Sequence, residues 1–209
     1  MIASAAPLVF LVDDDASVRK SLARLVKTAG YEAELFASVP DFLARAPYDG
    51  PCCLVLDVRM PGLSGLDLQE ALRAAGQRVS IVFITGHRDV PVSVKAMKAG
   101  AVDFLTKPVD AETLLGAIRQ AVARTLDDRR RQARVAEIRG RMATLTPREA
   151  AVFALVVTGM LNKQIGYQLG IGEKTVKVHR ARVMEKMQAG SVAELVRLAD
   201  EGSVIAAGS

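Results

Sequence analysis

The sequence lacks long apolar runs and has almost no cysteine. No apolar stretch reaches the ~18 consecutive residues that a membrane-spanning helix needs, and the basic and then apolar start of a signal peptide is missing. The two cysteines, Cys52 and Cys53, are adjacent within an apolar segment, which fits small core residues and argues against a disulfide framework or a metal site. We therefore expect a soluble protein of the cytoplasm.

Charge is spread unevenly along the 209 residues, a length that accommodates two domains. Residues 1–120 carry 13 Lys and Arg against 14 Asp and Glu, a net charge of −1, whereas residues 121–209 carry 15 against 9, a net charge of +6. This asymmetry suggests that only the second part binds a polyanion. A basic surface that is merely solvated is the alternative.

The first 125 residues alternate between strand-like and helix-like patterns. Leu8–Val12, Cys52–Leu56 and Val79–Ile84 are short continuous apolar runs, which suit strands buried on both faces of a parallel sheet. Glu32–Phe36 and Ala101–Leu105 are weaker strands that we expect nearer the edges. Amphipathic segments with helical spacing lie between the strands. A strand followed by a helix, repeated five times, predicts a doubly wound α/β fold.

The remaining residues have a helical pattern. Residues 121–142 hold seven arginines against three acidic residues, and we predict a charged helical linker there, with a disordered linker as the alternative. Thr146-Pro147-Arg148-Glu149 is typical of a helix N-terminus, and Asn162 is expected to cap a second helix of the four that follow residue 143. The predicted boundaries are 1–120, 121–142 and 143–209.

Polar side chains stand at four strand ends of the predicted sheet. The carboxyl ends of parallel strands border the ligand crevice of such folds, so these side chains should converge. They are Asp13, Asp14 and Asp15 after the first strand, Asp57 at the end of the third, Thr85 at the end of the fourth, and Lys107 after the fifth.

These residue types favour phosphoryl chemistry with a hard cation. Clustered carboxylates raise one another's pKa values, and Mg²⁺ bound through oxygen ligands relieves that repulsion. Zinc is not favoured, because His87 follows Thr85-Gly86 in an expected loop. An aspartate can act as a nucleophile that forms an acyl phosphate, with the cation and a lysine neutralising the phosphoryl oxygens.

Four segments within residues 7–125 resemble the motifs of the receiver family. They are Val12-Asp13-Asp14-Asp15, Leu56-Asp57-Val58-Arg59-Met60-Pro61-Gly62, Ile84-Thr85-Gly86-His87 and Leu105-Thr106-Lys107-Pro108. The resemblance implies a flavodoxin-like, doubly wound, five-stranded parallel sheet. A degenerate receiver or another α/β enzyme with an aspartate nucleophile is the alternative.

The receiver resemblance also implies roles for individual residues. Asp57 would accept the phosphoryl group, while Asp14, Asp57 and the backbone carbonyl of Arg59 would hold Mg²⁺, or Mn²⁺, with Asp13 assisting. Asp15 is better explained as the cap of the first helix. Thr85 would bond to the phosphoryl group, Lys107 would pair with it, Phe104 would be the switch aromatic, and the Lys107–Pro108 bond would be cis.

The predicted third helix of the second part has an apolar face and a basic face. Val176, Val183 and Met187 share one face and should pack inward. The opposite face should be exposed, as in a helix that enters a DNA major groove, and it carries Lys174, Lys177, Val178, Ala181 and Arg182. An amphipathic surface helix with ordinary charges is the alternative.

Residues 143–201 resemble the LuxR-type helix-turn-helix domain of the FixJ/NarL family. The motifs are Leu145-Thr146-Pro147-Arg148-Glu149, Asn162-Lys163-Gln164-Ile165 and Lys174-Thr175-Val176-Lys177-Val178-His179. The resemblance implies that Lys177, Val178 and Ala181 face bases, that Asn162, Lys163 and Thr175 hold phosphates, and that Arg182 does either. Gly172 and Gly166 depart from the usual Ser and Ala without removing a DNA contact.

Together these features predict a transcription regulator controlled by aspartyl phosphorylation. We expect a sensor histidine kinase, double-stranded promoter DNA and RNA polymerase as partners. A homodimer is expected to form on phosphorylation through a face that includes Lys95, Lys98 and Ala101. A switch whose output is protein binding, and a phosphatase-type enzyme, are the alternatives. A hydrolase would need a general base near the phosphoryl group, which the motifs do not supply.

Overall fold

The computed structural model of the chain describes residues 7–77, 79–86 and 90–203. They fall into two units, which divide between Arg129 and Arg130, each with its own core. His87, which was expected in a loop, lies outside the described residues. Within those residues, we find no helix with the length and apolarity that crossing a membrane requires.

The first unit alternates strands and helices as predicted. Its elements in chain order are β1 (Leu8–Val12), α1 (Ala16–Thr28), β2 (Glu32–Phe36), α2 (Val39–Leu43), β3 (Cys52–Asp57), α3 (Gly65–Ala74), β4 (Ser80–Thr85), α4 (Val90–Lys98) and β5 (Asp103–Thr106). A long helix, α5 (Ala111–Ala143), follows and continues into the second unit.

The five described strands form one parallel sheet in the order β2-β1-β3-β4-β5. Every residue of β1, β3 and β4 is buried, whereas β2 and β5 are only partly buried at the two edges. This confirms the predicted distinction between continuous apolar central strands and weaker edge strands. One apolar cluster includes Phe10, Phe42 and Leu68, and a second includes Leu11, Val26 and Ile118.

Polar side chains hold several helix ends of the first unit. Asp15 is the N-cap of α1, and its carboxylate accepts bonds from the backbone N–H groups of Ser17 at 2.7 Å and Val18 at 3.2 Å. The predicted capping role of Asp15 is thus confirmed. Ala101 was expected on the dimer face together with Lys95 and Lys98, and this prediction is wrong, because a dimer contact needs an accessible side chain. Ala101 is buried in the core just after Gly100, because it turns inward where α4 has ended.

The second unit is helical and includes the end of α5. Its further helices are α6 (Pro147–Val157), α7 (Asn162–Leu169), α8 (Glu173–Met187) and α9 (Val192–Ser203). Ile138 of α5 is fully buried in the same apolar cluster as Val152, Val183 and Leu195. The predicted segment 121–142 lies wholly inside α5, and its second half packs in the core of this unit. The boundaries at residues 120 and 142 stay predictions.

Thr146 begins α6 in the predicted way. Its hydroxyl accepts a bond from the Glu149 N–H at 3.3 Å, and the Glu149 carboxylate accepts one from the Thr146 N–H at 2.9 Å. The prediction that Asn162 caps α7 is wrong. Leu161 is the N-cap, and its N–H donates to the side-chain oxygen of Gln164 at 2.8 Å. The Gln164 side chain, in the first turn of α7, thus accepts a bond from the N-cap residue, and no side chain of the N-cap residue itself makes a capping bond.

Candidate functional site

The sheet register brings the predicted acidic and basic residues to one edge. Asp57 pairs with Ile84 across β3 and β4, and Thr85 pairs with Thr106 across β4 and β5. The backbone N–H of Lys107 donates to the Thr85 carbonyl at 2.7 Å. Parallel strands therefore end together here, and Asp13, Asp57, Thr85 and Lys107 converge as the strand-end pattern predicted.

Lys107 joins two carboxylates at this edge. Its ammonium lies 2.6 Å from Asp13 Oδ2 and 2.5 Å from Asp57 Oδ2. Asp13 is 1% exposed and Asp57 is 6% exposed, so both carboxylates are largely removed from water, whereas the Lys107 side chain is 24% exposed. The Lys107–Pro108 bond is cis, as expected.

The other carboxylate oxygens are held by backbone N–H groups. Asp13 Oδ1 accepts from Asp15 at 2.9 Å, and Asp57 Oδ1 accepts from Arg59 at 3.1 Å. Each of these carboxylates is therefore fixed at both oxygens. Charge-assisted hydrogen bonds of this kind hold a carboxylate in one orientation, whereas a carboxylate in water rotates more freely.

The site shifts the acid–base behaviour of its members. Burial raises the pKa of Asp13, although the bond from Lys107 opposes that effect. Burial also works against the Lys107 ammonium, but its bonds to Asp13 and Asp57 together outweigh burial and raise the pKa of Lys107. Lys107 therefore stays protonated and acts as a fixed positive charge.

Asp13, Asp14 and Asp57 form an acidic pocket that is compatible with a divalent metal. One oxygen from each carboxylate lies within 4.8 Å of the others, with Asp14 exposed at the mouth of the pocket. Three carboxylates facing one lysine leave two negative charges uncompensated when all are ionised. Oxygen donors with a surplus of negative charge fit a hard divalent cation.

Gly65 is a residue of the site that the motif analysis missed. A Cβ atom at this position would lie 2.3 Å from the backbone oxygen of Asp57, so no larger residue fits without movement. The Gly65 N–H also donates to the Val58 carbonyl at 3.1 Å. A glycine directly after Ser64, the cap of α3, was the available signal. The close approach fixes the end of β3 against α3.

Phe104 lies next to the site through the strand register. It pairs with Phe83 across β4 and β5, and the two ring centroids are 6.1 Å apart. Phe104 is partly buried, whereas Thr85, two residues beyond Phe83, is 2% exposed. Thr85 and Phe104, the predicted switch aromatic, therefore lie on the adjoining strands β4 and β5.

The second unit presents a basic helix face. Val176, Val183 and Met187 of α8 are fully buried, which confirms their predicted packing. The residues predicted to meet DNA along this helix are all exposed, namely Lys174, Thr175, Lys177, Val178, Ala181 and Arg182. Lys163 is exposed on α7, whose C-terminal end leads through a short turn to α8. Basic side chains thus lie outward along the helix that follows the turn.

Arg180 is a further residue that the sequence reasoning missed. Its guanidinium donates to the side-chain oxygen of Asn162 at 2.9 Å, which links α8 to the start of α7. Asn162, predicted to hold phosphate, therefore already has an intramolecular partner for its oxygen.

Tyr167 was also missed. It is 94% exposed and lines a groove with Lys163 four residues earlier on α7, a spacing that was visible in the sequence.

The first unit is a parallel sheet with a buried carboxylate–lysine centre, and the second is a helical unit with a basic helix-turn-helix face. Together they define a two-domain switch protein that binds DNA. Residues 9–119 match the family described as the response regulator receiver domain, and residues 143–199 match the LuxR family of bacterial regulatory proteins. The chain belongs to the response regulators that join these two domains, a family of transcription regulators controlled by phosphorylation.

Full-length relatives support this assignment. The chain is 47% identical over 198 residues to nodulation protein W of Bradyrhizobium diazoefficiens, covering 95% of this chain and 87% of that protein. It is 45% identical over 192 residues to the transcriptional regulatory protein FixJ of Azorhizobium caulinodans, covering 91% and 90%. The structure of the response regulator StyR is similar with a TM-score of 0.83 and 45% identity, covering 94% of this chain and all of that one.

Proposed function

We propose that Asp57 accepts a phosphoryl group from a sensor histidine kinase. The observation that carries this proposal is the Lys107 ammonium, which lies 2.5 Å from Asp57 Oδ2 at the edge of the sheet. A carboxylate held at one oxygen by this ammonium and at the other by the Arg59 N–H is oriented, as a nucleophile must be. The kinase is the proposed partner because a phosphohistidine is a suitable donor of a phosphoryl group to a carboxylate.

The proposed transfer makes and breaks one bond to phosphorus. A carboxylate oxygen of Asp57 forms the new bond, and the bond between phosphorus and the donor nitrogen breaks, which leaves an acyl phosphate on Asp57. Lys107 then pairs with a phosphoryl oxygen in place of the carboxylate oxygen. The Thr85 hydroxyl hydrogen-bonds to the same group, and Phe104 responds to the movement of Thr85.

We propose Mg²⁺ as the cation of the acidic pocket, with Mn²⁺ as a substitute. Asp14, Asp57 and the backbone carbonyl of Arg59 would hold it, with Asp13 supporting from its buried position. When bound, the ion neutralises negative charge on the phosphoryl oxygens. The uncompensated charge of the three carboxylates supports this choice, as does the absence of sulfur or imidazole ligands from the acidic cluster found among the described residues.

The proposed output is DNA binding by a phosphorylated homodimer in the cytoplasm. The α4 face carries exposed Lys95 and Lys98 beside Val94 and Met97, two apolar side chains that are also exposed, and this mixture favours an interface. Dimerisation there would bring two α8 helices to a two-fold promoter site, where RNA polymerase would be the further partner.

At that site Lys177, Val178 and Ala181 would face bases, whereas Asn162, Lys163 and Thr175 would lie at phosphates. Lys174 and Arg182 extend the basic face on either side of the base-reading residues. We regard the chain as a switch rather than a turnover enzyme, because Lys107 stays protonated and cannot serve as a general base. Steady release of phosphate from a simple phosphoester would contradict that view.

The test of the acceptor is the variant Asp57→Asn, which keeps the side-chain shape and removes the nucleophile. Intact-mass measurement after treatment with acetyl phosphate and Mg²⁺ should show one phosphoryl adduct on the unmodified protein and none on the variant. Asp49→Asn, at an exposed aspartate of the same unit, is the matched control and should accept normally. A normal adduct on Asp57→Asn would refute the assignment.

A further inference from the structure

The end of α5 contributes two cations to helix C-termini within the second unit. Arg141 Nη1 donates to the carbonyl of Met187, the last residue of α8, at 3.2 Å. Arg139 Nε donates to the carbonyl of Gly202, near the end of α9, at 3.2 Å. The final carbonyls of a helix have no partner inside the helix, and they carry its negative dipole end. Both arginines therefore act as caps supplied by another element.

The contact between Arg141 and α8 is the more constrained of the two. Glu137, one turn earlier on α5, lies 2.5 Å from the other terminal nitrogen of Arg141. The Arg141 side chain is only 17% exposed. The guanidinium is thus fixed between a carboxylate of its own helix and the last carbonyl of α8.

Lys186 provides a second attachment at the same end of α8. Its ammonium lies 2.6 Å from Glu149 of α6 and donates to the Thr144 carbonyl at 2.9 Å. Thr144 directly follows α5, so both attachments join α8 to the α5–α6 corner. The C-terminal end of the recognition helix is therefore anchored, while Lys177 lies ten residues away on the exposed face.

A small change at this anchor is amplified along the helix. Ten residues of α-helix span about 15 Å, so a tilt of roughly 4° about the C-terminal end would move Lys177 by about 1 Å. Hydrogen bonds to base edges tolerate only a few tenths of an ångström before they weaken. Base reading therefore depends on the anchor more steeply than attraction to phosphates does.

We propose that Arg141 is a positioning residue for base recognition, acting through the Met187 carbonyl and not through DNA. This inference rests on the proposed DNA-reading role of α8. It makes the last turn of α5 part of the DNA-reading apparatus, outside the segment 143–199 that matches the LuxR family. Arg139 has the same charge on the same helix but caps α9, and so it is the matched control.

The experiment uses the full-length protein and the variants Arg141→Ala and Arg139→Ala. Each is titrated against a DNA site selected with the unmodified protein, a base-substituted version of that site and random DNA, at several salt concentrations. Arg141→Ala should lower the ratio of selected-site to random-site affinity at least fivefold, the effect of weakening one good base contact, with an unchanged salt slope. Arg139→Ala should leave the ratio and the slope unchanged.

Three outcomes would overturn the proposal. An equal loss on all three DNAs with a salt slope lower by about one would make Arg141 a phosphate contact. An equal loss of discrimination in both variants would reflect general loosening of the unit. An unchanged ratio in Arg141→Ala would show that the anchor does not matter.

Two further variants complete the design. Circular dichroism checks folding, and if Arg141→Ala is unfolded, Glu137→Ala replaces it, because it leaves Arg141 in place but removes the carboxylate that orients it. That variant should lower the ratio in the same direction. Lys177→Ala in the same assay tests base reading by Lys177 itself: if this variant keeps every base preference, the proposed base contact of Lys177 fails, whatever Arg141 does.

Discussion

Replacing Ile138 with alanine tests whether the second half of α5 is a structural part of the DNA-binding unit. Ile138 is fully buried among residues of α6, α8 and α9, whereas a linker side chain would contact none of them. The change removes three carbon atoms from the core, about 0.8 kcal/mol each in transfer free energy, and leaves a cavity that adds to the cost. We expect the free energy of unfolding of the second unit to fall by about 2–5 kcal/mol.

Hydrogen exchange of the full-length protein measures this loss locally. A destabilisation of about 2 kcal/mol accelerates exchange through unfolding by roughly 30-fold, and larger losses accelerate it further. Peptides from α6, α8 and α9 should therefore lose protection together, while peptides from the sheet of the first unit keep theirs. Gln132→Ala, at an exposed position of the same helix, is the control and should change neither. Equal protection in the two variants would refute the reasoning and make this part of α5 a tether.

Three other predictions concern the acid stability of the second unit, metal binding and the DNA contacts. The bonds from Lys186 and the Thr146 N–H lower the pKa of Glu149 from 4.5 to about 2, so this carboxylate stabilises the second unit above pH 4.5 and loses that effect as the pH falls toward 2. In urea unfolding followed by circular dichroism, the free energy of unfolding should therefore fall more steeply with decreasing pH in the unmodified protein than in Glu149→Gln. Equal slopes in the two proteins would contradict this prediction. Asp14→Ala should weaken Mg²⁺ or Mn²⁺ binding in calorimetry more than Asp15→Ala, because Asp15 caps α1, and the reverse order would mean that the ligand assignment is wrong. Lys177→Ala should relax preference at one base position per half-site, whereas Lys163→Ala should weaken all DNAs alike and lower the salt slope by about one per module; a uniform loss in Lys177→Ala would make Lys177 a phosphate contact.

The sheet and its centre were predictable because their signals are local. The central strands are continuous apolar runs, and a polar residue that directly follows such a run must lie at the carboxyl edge of the sheet. That reasoning placed Asp57, Thr85 and Lys107 together, and the register confirms the convergence. The cap at Asp15 was also local, since it depends on the N–H groups two and three residues later.

The errors and omissions involve contacts between distant segments or competing local ones. Asn162 is a suitable cap by residue type, but the side chain of Gln164 accepts the bond from the Leu161 N–H instead. Residues 121–142 lie within α5, in keeping with the predicted helix, but the charge pattern alone does not indicate that Ile138 and Met142 pack in the core of the second unit. The bond from Arg141 to Met187 joins residues 46 positions apart, and nothing in the sequence near either residue indicates it.

Control of DNA binding by phosphorylation of Asp57 is tested most directly by one comparison. Binding of the selected DNA site is titrated with the unmodified protein and with Asp57→Asn, each with and without acetyl phosphate and Mg²⁺, while sedimentation velocity records the dimer fraction. A second DNA-binding module on a dimer makes the second contact effectively intramolecular, so the phosphodonor should raise both affinity and dimer fraction in the unmodified protein alone. An equal rise in Asp57→Asn, or no rise in either protein despite a phosphoryl adduct on the unmodified one, would contradict the account.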